Sequence, residues 1–439
     1  MLFKLKDMHV HFMAIGGAGI GPLALFAKEA GYDVSGSDQQ ESNMLSYLKQ
    51  KGITNIFIAS DKDVDIVEKF NHQNPINWVV YSSAVLLENP NSKILNFFAN
   101  NHIKTTKRDV FVNHIIKDKN LQLIAIGGTH GKTTTTAMLI WLFKTFKMDV
   151  NHLLPAQVDF ADMAEYHPKS PYLIYEADEF DRNFLNFNPK YSLISGVAWD
   201  HHEIYKTQDE YQEAFREFIN QSQETFIFKN DYDFLKTNNK HISVLDKDDK
   251  SLELIKLKGL YNRQDALLAS TVFHKLTGHK MEAVLAKVSL FPGLYRRMEK
   301  ITKNLYSDYA HTPEKIRAAL NVAREMAEGK NQKIIVIYEP LTNRRQHYIK
   351  EQYLNTFQDA DYIYWIDSYL AREDPNQAIL KPGDLIAYLS NPKMAQVASM
   401  NQQLKDNIKK QLELNNMVIA LSGGGGHSLD EWLRANFKA

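Results

Sequence analysis

The chain has no cysteine in its 439 residues. That absence removes a disulfide framework, a thiolate nucleophile and any Cys-based zinc or iron–sulfur centre. Charge of one sign is also missing, since 52 Lys and Arg face 52 Asp and Glu. Such a balance leaves no overall electrostatic footprint for nucleic acid or an anionic membrane. Long hydrophobic runs are absent as well: Ala137–Phe143 is far too short to cross a bilayer. No signal-peptide-like apolar segment precedes the first strand-like stretch, and no low-complexity linker interrupts the chain. The expectation is a cytoplasmic protein with neither a nucleic-acid nor a membrane partner.

What is present is 44% apolar and 24% charged residues, a globular mixture rather than a disordered one. At about 150 residues per domain, the length suggests two or three domains. Short β-branched or aromatic runs recur at His9–Ile15, Trp78–Ser82, Leu121–Ile126, Tyr172–Tyr175, Ser192–Val197, Thr225–Phe228, Lys333–Tyr338, Asp361–Ile366 and Met417–Leu421. Between them lie stretches with helical apolar spacing, such as Leu23–Ala30 and Ala137–Phe146. This alternation predicts an α/β protein with parallel sheets, whose ligands sit at the carboxyl ends of the strands. Strand ends rich in glycine or acid divide the chain into residues 1–117, 118–298 and 299–439. The expected architecture is an N-terminal Rossmann-like domain, a central domain with a mostly parallel sheet, and a C-terminal Rossmann-like α/β domain.

The strongest local signal is IAIGGTHGKTTTTAML, Ile124–Leu139, in which a strand runs into glycines and a helix follows. Glycines let backbone N–H groups face phosphate oxygens, and the helix N-terminus adds partial positive charge. Gly128, Thr129, His130, Gly131, Lys132, Thr133 and Thr134 are therefore the candidate triphosphate cradle. Lys132 would reach the β- and γ-phosphates, and the Thr133 hydroxyl would hold Mg²⁺. The spacing departs from G-x-x-x-x-G-K-[ST], because Ile126 stands five before Gly131. Downstream, YLIYEADEFD (Tyr172–Asp181) crowds carboxylates that repel one another unless a cation lies among them. Glu179 and Asp181 also fit a solvated acidic loop or a helix cap. Another strand end precedes Asp200, His201 and His202 in SGVAWDHHEIY.

At these residues the sequence resembles the Mur ligase family, whose shorter phosphate loop G-T-x-G-K-T-[ST] is matched by Gly128–Thr134. The family joins a carboxylate to an amine: ATP phosphorylates the acid, the amine attacks the acyl phosphate, and phosphate leaves. By this resemblance ATP and Mg²⁺ are the expected cofactors, with Thr133, Glu176 and His201 as metal ligands; His202 reads as a surface histidine. GLYNRQDALLA resembles the segment whose Asn reads adenine, so Asn262 is assigned there. Asp265 replaces the usual second Asn, which leaves its role open. FPGLYRRMEK resembles the segment joining the central and C-terminal domains, where Arg296 or Arg297 would meet a phosphate or carboxylate. In LYSDYAHTPEKI, Asp308 and His311 would face the ATP and acyl phosphate. VIYEPLTNRR keeps Pro340 and Arg345 of its family counterpart, while Leu341 and Thr342 replace a His-Arg pair. Lys132, His201, His311 and Arg345 are the expected catalytic groups.

The N-terminal HVHFMAIGGAGIG invites a dinucleotide reading, but no glycine has partners at both +2 and +5. It resembles instead the turn of family members that act on UDP-N-acetylmuramate. Gly16, Gly17, Ala18 and Gly19 would approach the diphosphate. Asp38 would accept from the ribose, or simply close a strand-end turn, and Ser82 and Ser83 would lie near the uracil. DSYLARE, with Tyr369 and Glu373, resembles the segment beside incoming L-alanine. AWDH, RRME and SGGGGH resemble relatives that attach a preformed tripeptide. The implied substrates are UDP-N-acetylmuramate and, on the strength of the N-terminal turn and DSYLARE, L-alanine rather than tripeptide. A monomer or weak homodimer is expected. An NAD-dependent dehydrogenase and a nucleotide-dependent scaffold are the alternatives from other classes. The role of Gly423–Gly426 is open.

Overall fold

The computed structural model describes residues 8–201, 204–371, 373–374 and 376–438. The buried apolar runs form strands, and helical crossovers make most neighbours parallel. The first sheet has the order Ile56–Ile58, Asp33–Asp38, His9–Met13, Trp78–Tyr81, Lys104–Lys107, all parallel. The central sheet runs Ile242–Leu245, Glu224–Phe228, Tyr191–Ile194, Gln122–Gly127, Tyr172–Glu176, Asn151–Leu153, Ala164–Glu165, with an antiparallel pair only at its last edge. The third runs Glu299–Thr302, Leu305–Asp308, Met417–Ser422, Ile334–Glu339, Tyr362–Trp365, Ala395–Val397, antiparallel only between the first two. The expected three-part, mostly parallel α/β architecture is what the chain forms.

In each sheet one glycine run follows a strand flanked by neighbours on both sides. Gly16–Gly19 follows His9–Met13, Gly127–Gly131 ends Gln122–Gly127 and begins the next helix, and Gly423–Gly426 follows Met417–Ser422. Chain reversal at such interior strands opens a crevice at their carboxyl ends, the usual ligand position in doubly wound sheets.

The chain packs as two compact units. One reaches Ile255 and resumes over Gln264–Phe291; the other takes Lys256–Arg263 and the chain from Pro292 onward. The first unit contains both the first and the central sheets, and their apolar faces belong to one continuous core that includes Phe12, Phe111, Phe184 and Phe215. In the second unit Tyr338, Tyr353 and Trp365 pack edge to face, with Phe357 tilted against them, in the core of the third sheet. No helix among the described residues is long and apolar enough to cross a membrane.

The first sheet carries a buried polar ladder. His9 Nε2 lies 2.7 Å from Ser35 Oγ, His11 Nδ1 is 2.8 Å from the same hydroxyl, and His11 Nε2 is 3.0 Å from Ser37 Oγ. Burial, helped by repulsion from His9, pulls the His11 imidazole down to about 3. The folded protein therefore holds His11 neutral, whereas the unfolded chain takes up a proton near the ordinary value of about 6.5. Stability contributed this way is complete above that pH and is lost as pH falls below it, by about 1.4 kcal/mol per unit. Urea unfolding between pH 7 and 5 should show this slope, and His11→Gln should flatten it.

Candidate functional site

Three strand ends of the central sheet lie side by side. Register pairs Ile126 with Glu176 and Gly127 with Ile194. The phosphate loop, the acidic cluster and the Ser195–His201 segment therefore leave the sheet together. The run Ser192–Val197 does not stay a strand to its end: it stops at Ile194, and Gly196, with φ +156°, turns its carbonyl toward the loop. Gly196 O accepts from Thr129 N at 2.7 Å and His130 N at 3.4 Å, while Ser195 Oγ donates to His130 O at 2.5 Å. Gly128, at φ +140°, has no room for a Cβ, which would stand 2.9 Å from Gly196 O. Beneath the loop, Thr129 Oγ1 contacts the buried Tyr211 hydroxyl at 2.6 Å and donates to Ala198 O at 2.8 Å.

Gly131, at φ +74°, caps the helix Lys132–Thr145, so the first-turn amides of Lys132, Thr133 and Thr134 open toward the loop. Lys132 Nζ donates to Gly128 O at 2.5 Å and to Glu179 Oε2 at 2.7 Å. Burial opposes the ammonium charge, but Glu179, Asp178 and Glu176 outweigh it and lift the Lys132 pKa above the usual lysine range. For Glu179 burial also opposes ionisation, and Lys132 and His201 together hold its carboxyl below the usual range. His201 Nε2 lies 3.4 Å from Glu179 Oε1, and Tyr205 OH donates to Glu179 O at 2.5 Å. Burial raises the Glu176 carboxyl, against the pull of Lys132 and Thr133.

Thr133 Oγ1 donates to Glu176 Oε2 at 2.9 Å. A hydroxyl and a carboxylate oxygen this close, beside amides suited to phosphate, form a donor pair of the kind Mg²⁺ takes, since that ion keeps several waters and needs few protein ligands. His201 is in the same neighbourhood but is turned to Glu179 rather than Glu176. His202 lies outside the described residues.

The pairing of Glu179 with Lys132 is not legible in the sequence, nor are the contacts of Tyr211, Gly196 and Arg108. No spacing pattern announces these contacts, because each depends on how elements distant in sequence pack together. Asp265 receives no role from the resemblance. This buried carboxylate packs on Gly131, where an added Cβ would meet its Oδ1 at 2.5 Å.

At the first sheet, Gly16 N donates to Asp38 Oδ2 at 2.8 Å and Gln39 N to Asp38 Oδ1 at 2.8 Å. Asp38 therefore closes the turn. Gly17 and Ala18 are exposed, and Gly19 packs under the Arg108 guanidinium. Ser82 precedes the helix Ser83–Glu88, and Ser83 Oγ donates to Asp181 Oδ2 at 2.8 Å.

In the second unit Asp308 is buried and accepts from Met298 N and Ala310 N, each at 2.8 Å. Burial raises its carboxyl despite Arg297 nearby. Burial lowers the His311 imidazole, and the charges of Lys315 and Arg345 add to the effect, so His311 and Arg345 share one neighbourhood. Arg296 Nη2 donates to Ser422 O at 2.6 Å, and both Arg296 and Arg297 lie over the Tyr309 ring. Asn262 Nδ2 donates to Lys258 O at 2.8 Å. Glu373 accepts from Asn343 N at 3.1 Å and Arg344 N at 3.0 Å, so its carboxylate caps the helix Asn343–Ile349.

The glycine run Gly423–Gly426 acquires a physical reason here. A Cβ on Gly423 would stand 3.0 Å from His311, and one on Gly424 only 2.6 Å from the Tyr369 ring. Gly424→Ala is expected to lower the unfolding free energy by about 1–3 kcal/mol through overpacking. Gly426→Ala, with nothing within 4 Å, should change it by less than about 0.5 kcal/mol. Paired thermal denaturation checks both.

Three family models match consecutive parts of the chain: "Mur ligase family, catalytic domain" at residues 9–120, "Mur ligase middle domain" at 126–286, and "Mur ligase, glutamate ligase domain" at 296–424. UDP-N-acetylmuramate–L-alanine ligase of Caldicellulosiruptor saccharolyticus is 32% identical over 82% of this chain and 84% of its own. The enzyme of that name from Clostridium perfringens is 29% identical over 84% and 85%. Among solved structures, UDP-N-acetylmuramate-alanine ligase MurC of Thermotoga maritima superposes with TM-score 0.73 at 23% identity, covering 95% of this chain and 96% of that one. Murein peptide ligase mpl of Psychrobacter arcticus gives 0.66 at 21%, covering 98% and 99%. With its three sheets, its phosphate loop and relatives matched over most of their length, this chain belongs to the Mur ligase family.

Proposed function

We propose that the protein is an ATP-dependent ligase that joins L-alanine to the carboxylate of UDP-N-acetylmuramate, releasing ADP and phosphate in peptidoglycan precursor synthesis. The observation that carries this reading is the convergence of Lys132, Thr133, Glu176, Glu179 and His201 at adjoining strand ends. It occurs in a chain that curated L-alanine ligases match over more than four fifths of both lengths.

The muramate carboxylate attacks the γ-phosphorus of ATP, the bond to the β–γ bridging oxygen breaks, and ADP departs. The alanine nitrogen then attacks the acyl carbon, the bond to the phosphate oxygen breaks, and the nitrogen's proton passes to a base. Thr133 and Glu176, joined by His201 once it turns from Glu179, would hold Mg²⁺, which would supply positive charge against the phosphates. The chain's own work is positioning and charge balance. Amides of Gly128–Thr134 cradle the phosphates, and the Lys132 ammonium exchanges Glu179 for a phosphate oxygen. In the N-terminal third, Gly16–Gly19, Asp38, Ser82 and Ser83 receive the uridine diphosphate. Asn262 and Arg296 are assigned to ATP, Asp308, His311 and Arg345 to the phosphate under transfer, and Tyr369 and Glu373 to the amine.

ADP release, followed with UDP-N-acetylmuramate, ATP and each L-amino acid in turn, tests the proposal. L-Alanine should give the fastest release by a wide margin. Release that is equal with and without any amine, or none in any mixture, contradicts it.

A further inference from the structure

Arg108 stands between two sites of the first unit. Its Nη1 lies 2.0 Å from where a Cβ on Gly19 would be, so the guanidinium covers the N-terminal glycine turn. Its Nη2 donates to Asp178 Oδ2 at 2.7 Å, and its Nε to Asp109 Oδ2 at 3.2 Å. The anchor is firm: Asp109 is fully buried and also accepts from Tyr175 OH at 2.8 Å. The preceding residue is tied down too, with Lys107 Nζ 2.5 Å from Asp181 Oδ2. At the other end of this bridge, the charge of Asp178 acts on both Lys132 and Glu176.

We propose that Arg108 is a positioning residue that couples these sites, so that a nucleoside diphosphate on the Gly16–Gly19 turn strengthens binding of magnesium–ATP at the phosphate loop. The inference rests on the functional reading above, which places a diphosphate at that turn. The sign follows from charge. A guanidinium has five donors, and Arg108 divides them between carboxylates. A dianionic diphosphate against Gly19 draws the guanidinium to itself, since a fork of N–H donors suits phosphate as well as carboxylate. Whatever charge balance Asp178 loses leaves the Glu176–Asp178–Glu179 cluster more anionic. A more anionic cluster attracts a divalent cation and the nucleotide it carries. Linkage makes the effect reciprocal, so the metal nucleotide strengthens sugar-nucleotide binding by the same factor.

Titration calorimetry of the full chain with a non-hydrolysable ATP analogue and Mg²⁺, with and without saturating UDP-N-acetylmuramate, reads the coupling directly. In the unaltered protein the sugar nucleotide should tighten analogue binding on the order of tenfold. In Arg108→Gln the factor should fall below about twofold, with partial return in Arg108→Lys, which keeps the charge but not the fork. Asp178→Asn removes the same bridge from its other end and should give the same loss, which keeps the test intact if Arg108→Gln does not fold. Coupling of unchanged size in both variants overturns the proposal, as does an unaltered protein that binds both ligands independently. An unaltered protein that binds the analogue but no UDP-N-acetylmuramate contradicts the functional reading itself.

Discussion

Lys132→Ala should lower kcat by roughly 10²–10³-fold, on the order of 3–4 kcal/mol of barrier, the scale of removing one preorganised charge-stabilising donor. The ammonium already stands over the phosphate loop, fixed by Gly128 O and Glu179. It is charged at any physiological pH because surrounding carboxylates outweigh the cost of its burial. Once it has exchanged Glu179 for a phosphate oxygen, a buried ammonium beside the loop needs little further movement when charge shifts onto the γ-phosphoryl oxygens. The loss should therefore fall mainly on kcat in steady-state assays with saturating ATP. A variant that lost only ATP affinity, with kcat intact, would place Lys132 in binding alone.

Glu179→Ala should have the largest effect on stability. Glu179 is 1% exposed and pairs with Lys132 and His201, so removing it leaves the buried ammonium in contact with Gly128 O and balanced only by the longer-range charges of Asp178 and Glu176. Breaking a buried pair from one side costs roughly 3–5 kcal/mol. Because Lys132 keeps 14% of its side chain exposed, the lower end of that range applies, about 3 kcal/mol. Denaturant unfolding measures it. Glu179→Gln, which can still accept from Lys132, should recover part of the loss. Binding of ATP should restore more stability to Glu179→Ala than to the unaltered chain, because the phosphates supply the missing negative charge.

Much of this molecule is written locally in the chain. The strand Gln122–Gly127 was legible as LIAI because a strand buried on both faces must be apolar throughout. The phosphate loop was legible because its backbone demands glycine at Gly128 and Gly131, both at positive φ, with lysine and threonine opening the helix. The edge strand Lys104–Lys107 was not, since KTTK has no apolar face and is held by pairing with Trp78–Tyr81. Asp33–Asp38 hides its buried serines, which make sense only beside His9 and His11 on the neighbouring strand.

The same limit governs the site. Glu176 and His201 stood out by motif, yet the carboxylate that grips Lys132 is Glu179. That pairing is decided by how Tyr172–Glu176 registers on Gln122–Gly127 and by the turn that follows. Glu373 stands out by its motif, but its contacts with the amides of Asn343 and Arg344 are not legible there. A carboxylate's partners three-dimensionally nearby leave no trace in its sequence spacing.

The most direct measurement is the mass of the sugar nucleotide formed when UDP-N-acetylmuramate and ATP are supplied with L-alanine and the tripeptide in equal amounts. The account predicts one new species, heavier than the starting nucleotide by a single alanine residue, formed with one ADP per molecule. A product carrying the tripeptide, or an unmodified sugar nucleotide after complete ATP turnover, would contradict it.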